Sequence, residues 1–514
     1  MKKRVRILLG ALALYAALLA LLIGAESSNP DASIRSVGDA LWYSLITMTT
    51  VGYGDLSPLT PAGRIIGVIF ALCSIGILAA LIGIGMQLIA GRFLPGLRLR
   101  LGKGHSWYVF GEENADACAL AKELVKAEKD CLIIFPADGE RRMEEANAVR
   151  IGASLAELLR LRGSGEGMAF FILGEDSRKN YADGRMLAEY GVPVYCLTDL
   201  CADETPENLS LFSRTEAISR CYWKEHPLTR EERTVALIGC GAAGSVILER
   251  GLLTNVFEPE RTTTYHVFED TAHFRALHPR LTEALSGGKA GEDRLYFHEK
   301  DWTEETALLQ KADRIILCCD EDTRNLEICE TLRVRFGVRA QIHIRLSEPL
   351  PPLHSFGERE KIITPEYVMK DAVNRQAIAV NDIYNASSPN PRTWRELGWF
   401  LRQSNIAAAD HLIVKLRLLL DDDGIREITP ALCREAYETY CALSDAERDR
   451  LWEIEHRRWM RFYLTYNWEY DAVRCDAQRK HPMLVPYAEL EESEKRKDAY
   501  AWELLGALAA RAED

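Results

Sequence analysis

The chain has 514 residues, 47% of them hydrophobic and 27% charged, with a formal net charge of −13 from 63 basic and 76 acidic side chains. That length is too great for one hydrophobic core and implies three or four units, and the acidic balance excludes a surface dominated by nucleic-acid binding. The thirteen cysteines include the vicinal pair Cys318 and Cys319, but no Cys-x-x-Cys and no zinc-like cluster with histidines. They read as reduced, mostly buried thiols, with neither a disulfide scaffold nor a structural metal site indicated.

Lys2, Lys3, Arg4 and Arg6 precede an uncharged apolar run from Ile7 to Ala25, about long enough to cross a bilayer as a helix. A secretory signal peptide opens in the same way, but a second uncharged run, Ile65 to Ala90, favours a two-span unit. Arg92, Arg98, Arg100 and Lys103 follow it, so both ends carry the cationic flanks of a cytoplasmic side. The expectation is a multi-pass protein of the cell inner membrane with both termini cytoplasmic. The second run exceeds the hydrocarbon thickness and should tilt or bend, and Gly76, Gly83 and Gly85 permit either bending or close helix packing. Gly91, Pro95 and Gly96 are expected to end this helix, leaving a short basic tether to the next strand.

Between the runs, Val37 to Met48 reads as a short helix leading into Thr50, Val51, Gly52, Tyr53, Gly54 and Asp55. Stacked backbone carbonyls, with the Thr50 hydroxyl innermost, can replace the water around a potassium ion. Gly52 and Gly54 reach the required backbone angles without a Cβ penalty. Val51 and Tyr53 then turn from the axis toward the short helix, whose C-terminal dipole end favours a cation. The plain alternative is a Gly-Tyr-Gly turn. The stretch from Leu41 to Arg64 resembles the pore of the potassium-channel family. That resemblance implies K⁺ as the transported ion, held at Thr50, Val51, Gly52 and Tyr53. It also implies Asp55 at the outer mouth, Trp42 and Tyr43 in an aromatic cuff, and four copies around one pore. Two departures matter. Ile46 stands where some relatives carry a glutamate, so Asp55 needs another partner or faces water, and Ser74 occupies the usual hinge-glycine position with Gly76 nearby.

From Trp107 the periodicity becomes that of an α/β unit. Strands are expected at Trp107–Phe110, Cys131–Phe135, Met168–Leu173 and Val192–Leu197, with helices at Ala115–Ala127, Arg141–Ile151 and Tyr181–Tyr190. The pattern argues for a parallel sheet covered by helices and is similar to the potassium-conductance-regulating (RCK, TrkA-N-like) domain. Its phosphate loop, Gly111 to Asp116, keeps one glycine and sets acids where a pyrophosphate would sit, and Phe135 and Pro136 follow the second strand in place of a ribose-binding acid. This unit reads as structural and interfacial.

A second unit opens with a strand from Thr234 running into Gly239, Gly241 and Gly244 and then a helical stretch from Ser245 to Leu252. That context is the one a Gly-x-Gly-x-x-Gly phosphate loop requires. The next strand, Thr264 to Phe268, ends at Glu269 and Asp270, an acid placed for a ribose diol, and Arg314 to Cys319 supplies a further strand. Gly239, Gly241, Gly244 and Glu269 are therefore the candidate nucleotide site, with NAD or another nucleotide as regulatory ligand. The alternative is an inherited fold with a differently occupied cleft. No dehydrogenase-like acid and substrate-binding arginine follow.

A helical connector, Trp394 to Leu420, leads to a terminal unit containing Leu451 to Trp459, Asn467 to Tyr470, Lys480 to Tyr487 and Glu494 to Asp498. Its text resembles the RyR domain, most specifically in His481, Pro482, Leu484, Val485, Pro486 and Tyr487. His456 and Trp459 lie one turn apart on a helix. With Arg457, Arg458, Trp468, Lys480 and Tyr487 they form a candidate pocket for a nucleotide-like anion, or else the aromatics are simply the small domain's core. The expected fold is a membrane α-helical pore of two spans and a re-entrant loop, two Rossmann-like α/β domains and a small, mainly α C-terminal domain. Expected boundaries are 1–103, 104–230, 231–380, 381–443 and 444–514. The reading is a homotetrameric, non-enzymatic K⁺ channel gated by a ligand on its cytoplasmic domains. The alternative, a membrane-anchored NAD-dependent enzyme or nucleotide sensor, leaves the filter text without a use.

Overall fold

The computed structural model describes residues 2–49, 51–88, 94–137, 142–144, 147–202, 204–288 and 291–511, without the side chains of 2–12 and most of 73–88. It separates into two compact units, one of Met1–Lys103 with Val149–Ile151 and one of Gly104–Ala148 with Gly152–Asp514.

The first unit holds helices α1 (Lys2–Glu26), α2 (Val37–Met48), α3 (Pro61–Leu88) and α4 (Leu94–Leu101). The short helix spans the expected residues because a capping box starts it: the Ser36 hydroxyl accepts from the Asp39 amide, and the Asp39 carboxylate accepts from the Ser36 amide. Leu19, Leu22, Ile34, Ala40 and Phe70 form the packed centre of the three longer helices. Among the described residues no helix is long and apolar enough to cross a membrane. Pro95 and Gly96 do not end a helix as expected but lie within α4. Gly91 and Arg92 lie outside the described residues.

From residue 104 onward the chain forms two six-stranded sheets. The first contains β1 (Ser106–Phe110), β2 (Cys131–Pro136), β3 (Ala148–Ile151), β4 (Met168–Ile172), β5 (Val194–Leu197) and β6 (Leu209–Phe212), in the order β3-β2-β1-β4-β5-β6. The second contains β7 (Thr234–Ile238), β8 (Thr264–Phe268), β9 (Arg294–His298), β10 (Arg314–Leu317), β11 (Gln341–Arg345) and β12 (His354–Phe356), in the order β12-β11-β10-β7-β8-β9. Counted from its own first strand, each sheet has the doubly wound order 3-2-1-4-5-6, and the described pairings run parallel. Both are Rossmann-like, with a switch point between β1 and β4 and between β7 and β10.

The helix expected over Arg141–Ile151 is instead a loop followed by the strand β3. The Arg142 and Met143 amides donate to the Glu113 carboxylate at 2.8 and 3.0 Å, and the Ile133 amide donates to the Asn147 carbonyl at 3.1 Å. These bonds hold the segment extended beside β2, and β-branched Val149 and Ile151 suit a strand. Residues 138–141, 145 and 146 lie outside the description.

Downstream, helices Trp399–Asp410, Leu412–Leu420 and Pro430–Ala442 lead to Asp445–Thr465, which starts at a capping box of Ser444 and Glu447. The last helix, Tyr500–Ala510, packs on Pro430–Ala442, where a Cβ on Gly506 would sit 2.8 Å from the Tyr437 ring. Under it, fully buried Lys415 pairs with Glu455 at 2.9 Å and Arg458 closes on the same carboxylate at 2.6 Å.

Candidate pore and ligand sites

The α2 helix ends at Thr49, and the amides of Val51 and Gly52 donate back to the Ile46 carbonyl at 3.0 and 3.3 Å. The chain then leaves extended, with Gly52 at φ 61° and Gly54 at φ 75°. Both glycines occupy the left-handed region that a side chain disfavours. Tyr53 turns onto α2, its ring stacked on Trp42 at 6.4 Å. Tyr43 lies against Gly67 of α3, where an added Cβ would approach its hydroxyl to 2.9 Å. Asp55 has a partner: the Trp42 indole N–H donates to its carboxylate at 2.9 Å. Thr50 lies outside the described residues.

One residue of this unit escaped the sequence reading. Glu26, at the end of α1, is fully buried and accepts from the Leu59 and Thr60 amides, both at 3.0 Å, and from the Thr60 hydroxyl at 2.6 Å. A Cβ on Gly63 would strike its carboxylate. The carboxylate thus ties the end of α1 to the segment that starts α3. Its only sequence signal was an acid ending an uncharged run.

In the second sheet, the strand β7 runs into Gly239 at φ 90°, and the helix Ala242–Thr254 starts at Gly241 with no side-chain cap. Its leading amides are left for ligand oxygens. A Cβ would lie 2.6 Å from the Cys319 amide nitrogen at Gly239 and would strike the Gly239 carbonyl at Gly244. Those two glycines therefore allow the close strand and helix approach a phosphate loop needs. A Cβ on Gly241 would come 2.8 Å from the Asp320 carboxylate, so an acid faces this loop across the switch point. Glu269, at φ 60°, is paired with Arg324 at 2.7 Å. Burial, with the Glu269 charge behind it, pushes the Cys319 thiol up to about 11.

The corresponding slot of the first sheet is filled from within. Glu113 binds the two backbone amides already named, Asn114 caps the helix Ala115–Ala127, and buried Asp116 pairs with Arg214 and, at 2.9 Å, with Arg359.

In the terminal unit, His456 lies 5.7 Å from Trp459 and 5.9 Å from Tyr487, ring centre to ring centre. Its Nε2 bonds the Val485 carbonyl at 2.9 Å and its Nδ1 faces Asp498 at 3.5 Å. Trp468 joins through Tyr463 and His481. The cations lie elsewhere: Arg457 bonds the Phe257 and Gly291 carbonyls, Arg458 closes on Glu455, and Lys480 pairs with Asp471 at 2.8 Å. Tyr487 donates to Asp449 at 2.6 Å. The structure thus joins the aromatics and His456 into one cluster and directs both arginines into other contacts.

The first unit thus carries a helix-and-loop arrangement with a glycine-containing segment, and two Rossmann-like α/β sheets follow in the chain. Residues 7–90 match the ion channel family model, and residues 444–510 match the RyR domain model. A voltage-gated potassium channel of Aeropyrum pernix is 46% identical over 77 residues, 15% of this chain and 23% of that protein. Human potassium voltage-gated channel subfamily A member 4 is 47% identical over 51 residues, 10% of this chain and 7% of that protein. The chain therefore spans less than a quarter of the length of these relatives. Among solved structures, GsuK bound to ADP aligns with TM-score 0.35 at 14% identity, over 72% of this chain and 99% of that one. The GsuK channel bound to NAD aligns with TM-score 0.31 at 12% identity, over 82% and 85%.

Proposed function

We propose that this chain forms a homotetrameric, potassium-selective channel that spans the cell inner membrane twice and is gated by a ligand on its α/β and terminal domains. The observation that carries the reading is the left-handed pair Gly52 and Gly54 following the α2 helix, within the segment 46% identical to a potassium channel. Two uncharged runs with basic flanks support membrane insertion. So do the exposed Leu14, Leu21, Ile65, Val68 and Leu72 on α1 and α3, a large apolar display for a unit in water. Regulation falls to the domains from residue 104 onward, divided as 104–230, 231–380, 381–443 and 444–514. The first Rossmann-like domain is structural, since Glu113 and Asp116 fill its slot. The second takes a nucleotide at Gly239, Gly241, Gly244 and Glu269, and the aromatic cluster around His456 and Trp459 is the candidate RyR pocket. A selectivity-filter segment has no use in a membrane-anchored enzyme, so the chain acts as a channel and not as an enzyme. The test is recording in planar bilayers with K⁺ on one face and Na⁺ on the other while NAD or ADP is added to the inner face. A K⁺-selective current whose open probability changes with nucleotide, and does not in Gly241→Asp, supports the reading. A current that does not discriminate K⁺ from Na⁺ contradicts it.

A further inference from the structure

One cavity of the second unit belongs to neither nucleotide cleft nor aromatic cluster. It encloses about 1240 Å³ where the C-terminal ends of β5 and β6 meet the connector helix Trp399–Asp410 and the loop after Asp445–Thr465. That volume exceeds the roughly 300–1,000 Å³ of ordinary small-molecule sites.

Three features of its wall point to one chemistry. Trp394 and Trp399 line it, with the Tyr466 ring edge-to-face on Trp399 at 5.1 Å. Arg250 is 3% exposed, with its Nη2 shared between Glu216 and Gln403 and its Nε and Nη1 without a hydrogen-bond partner. Arg395 and Arg479 stand at the rim and donate to the carbonyls of Glu207 and Tyr466, at 2.5 and 2.7 Å, which bond them without neutralising their charge. Three of the wall's acids accept hydrogen bonds from hydroxyls, and Glu207 and Glu216 line it as well. Asp199 accepts from the Ser213 and Thr215 hydroxyls at 2.6 and 2.9 Å, Glu249 from Tyr466 at 2.8 Å, and Glu396 from Thr393 at 2.7 Å. Burial pushes the Asp371 carboxyl up to about 6, which weakens its claim on the same cations.

We propose that this cavity is a binding site for a nucleoside monophosphate, its ring against Trp394 and Trp399 and its phosphate facing Arg395 and Arg479. The site is separate from the Gly-x-Gly-x-x-Gly cleft, and its occupancy is measured by binding alone, whatever the pore conducts. Detergent-solubilised full-length protein is titrated calorimetrically with AMP, with adenosine and with inorganic phosphate. Wild type and Gly241→Asp should bind AMP alike, while Trp394→Ala and Arg395→Gln bind it roughly tenfold or more weakly. Adenosine and phosphate alone should each bind far more weakly than AMP. Unchanged melting temperatures of both cavity variants guard against misfolding, and Arg479→Gln, at the exposed rim, provides an independent third variant. Loss of AMP binding in Gly241→Asp with retention in the cavity variants overturns the proposal. So does the absence of AMP binding at millimolar concentration, or phosphate binding as tightly as AMP.

Discussion

Glu26 accepts three hydrogen bonds from residues 33 and 34 positions further along, and it does so fully buried. Glu26→Gln keeps its shape but turns an NH₂ group toward N–H and O–H donors, leaving buried donors unmet at about 1–3 kcal/mol. A lower melting temperature of the detergent-solubilised protein is the expected outcome, and an unchanged one would show that the carboxylate bears no load. At Asp55 the expectation was another partner or water, because Ile46 stands where some relatives carry a glutamate. The partner is the Trp42 indole, thirteen positions earlier on the short helix. No sequence rule gave that pairing, since it depends on the filter folding back along α2. Trp42→Phe keeps the ring on Tyr53 and removes only the indole N–H. Assembly should survive and K⁺ flux into liposomes should fall severalfold, whereas unaltered flux would free the filter from that bond.

At the level of elements, legibility followed local chemistry. The α2 helix matched its expected ends because Ser36 and Asp39 form a capping box, and the long helix of the terminal unit starts at another, Ser444 with Glu447. Ser444→Ala should destabilise by about 1 kcal/mol, visible as a lower melting temperature without loss of nucleotide binding. The strand β3 was misread because its partner amides and the Glu113 carboxylate are remote in sequence. α4 was missed because Pro95 and Gly96, which lie within it, were taken as a stop. The strands β6, β9, β11 and β12 lay in stretches left unassigned, and only their pairing with β5, β8, β10 and β11 reveals them. Of the candidate sites, the glycine loop was legible because its motif is contiguous. Asp320 opposite it was not, since that contact comes from a strand end some eighty residues on.

Across the whole molecule, buried charge makes stability depend on acidity. Burial, reinforced by the Arg314 charge, pushes His343 down to about 2, and burial with Lys415 pushes His411 to about 3. The unfolded chain protonates these rings near pH 6.5 while the folded chain does not. Their contribution is therefore fully present above about pH 6.5 and is lost as pH falls below it, at up to about 1.4 kcal/mol per pH unit for each ring. The melting temperature should drop from about pH 7.5 to about pH 5, and His343→Gln should flatten that slope; an unchanged slope would show that this ring takes up its proton in the folded state. The central claim is selective conduction through residues 50–54, and K⁺ and Na⁺ flux into liposomes carrying the purified full-length protein tests it most directly. The account predicts K⁺ flux far exceeding Na⁺ flux in wild type and its loss in Gly52→Ala, whose added Cβ meets a backbone at φ 61°. Equal flux of the two ions, or selective flux that survives the substitution, would contradict it.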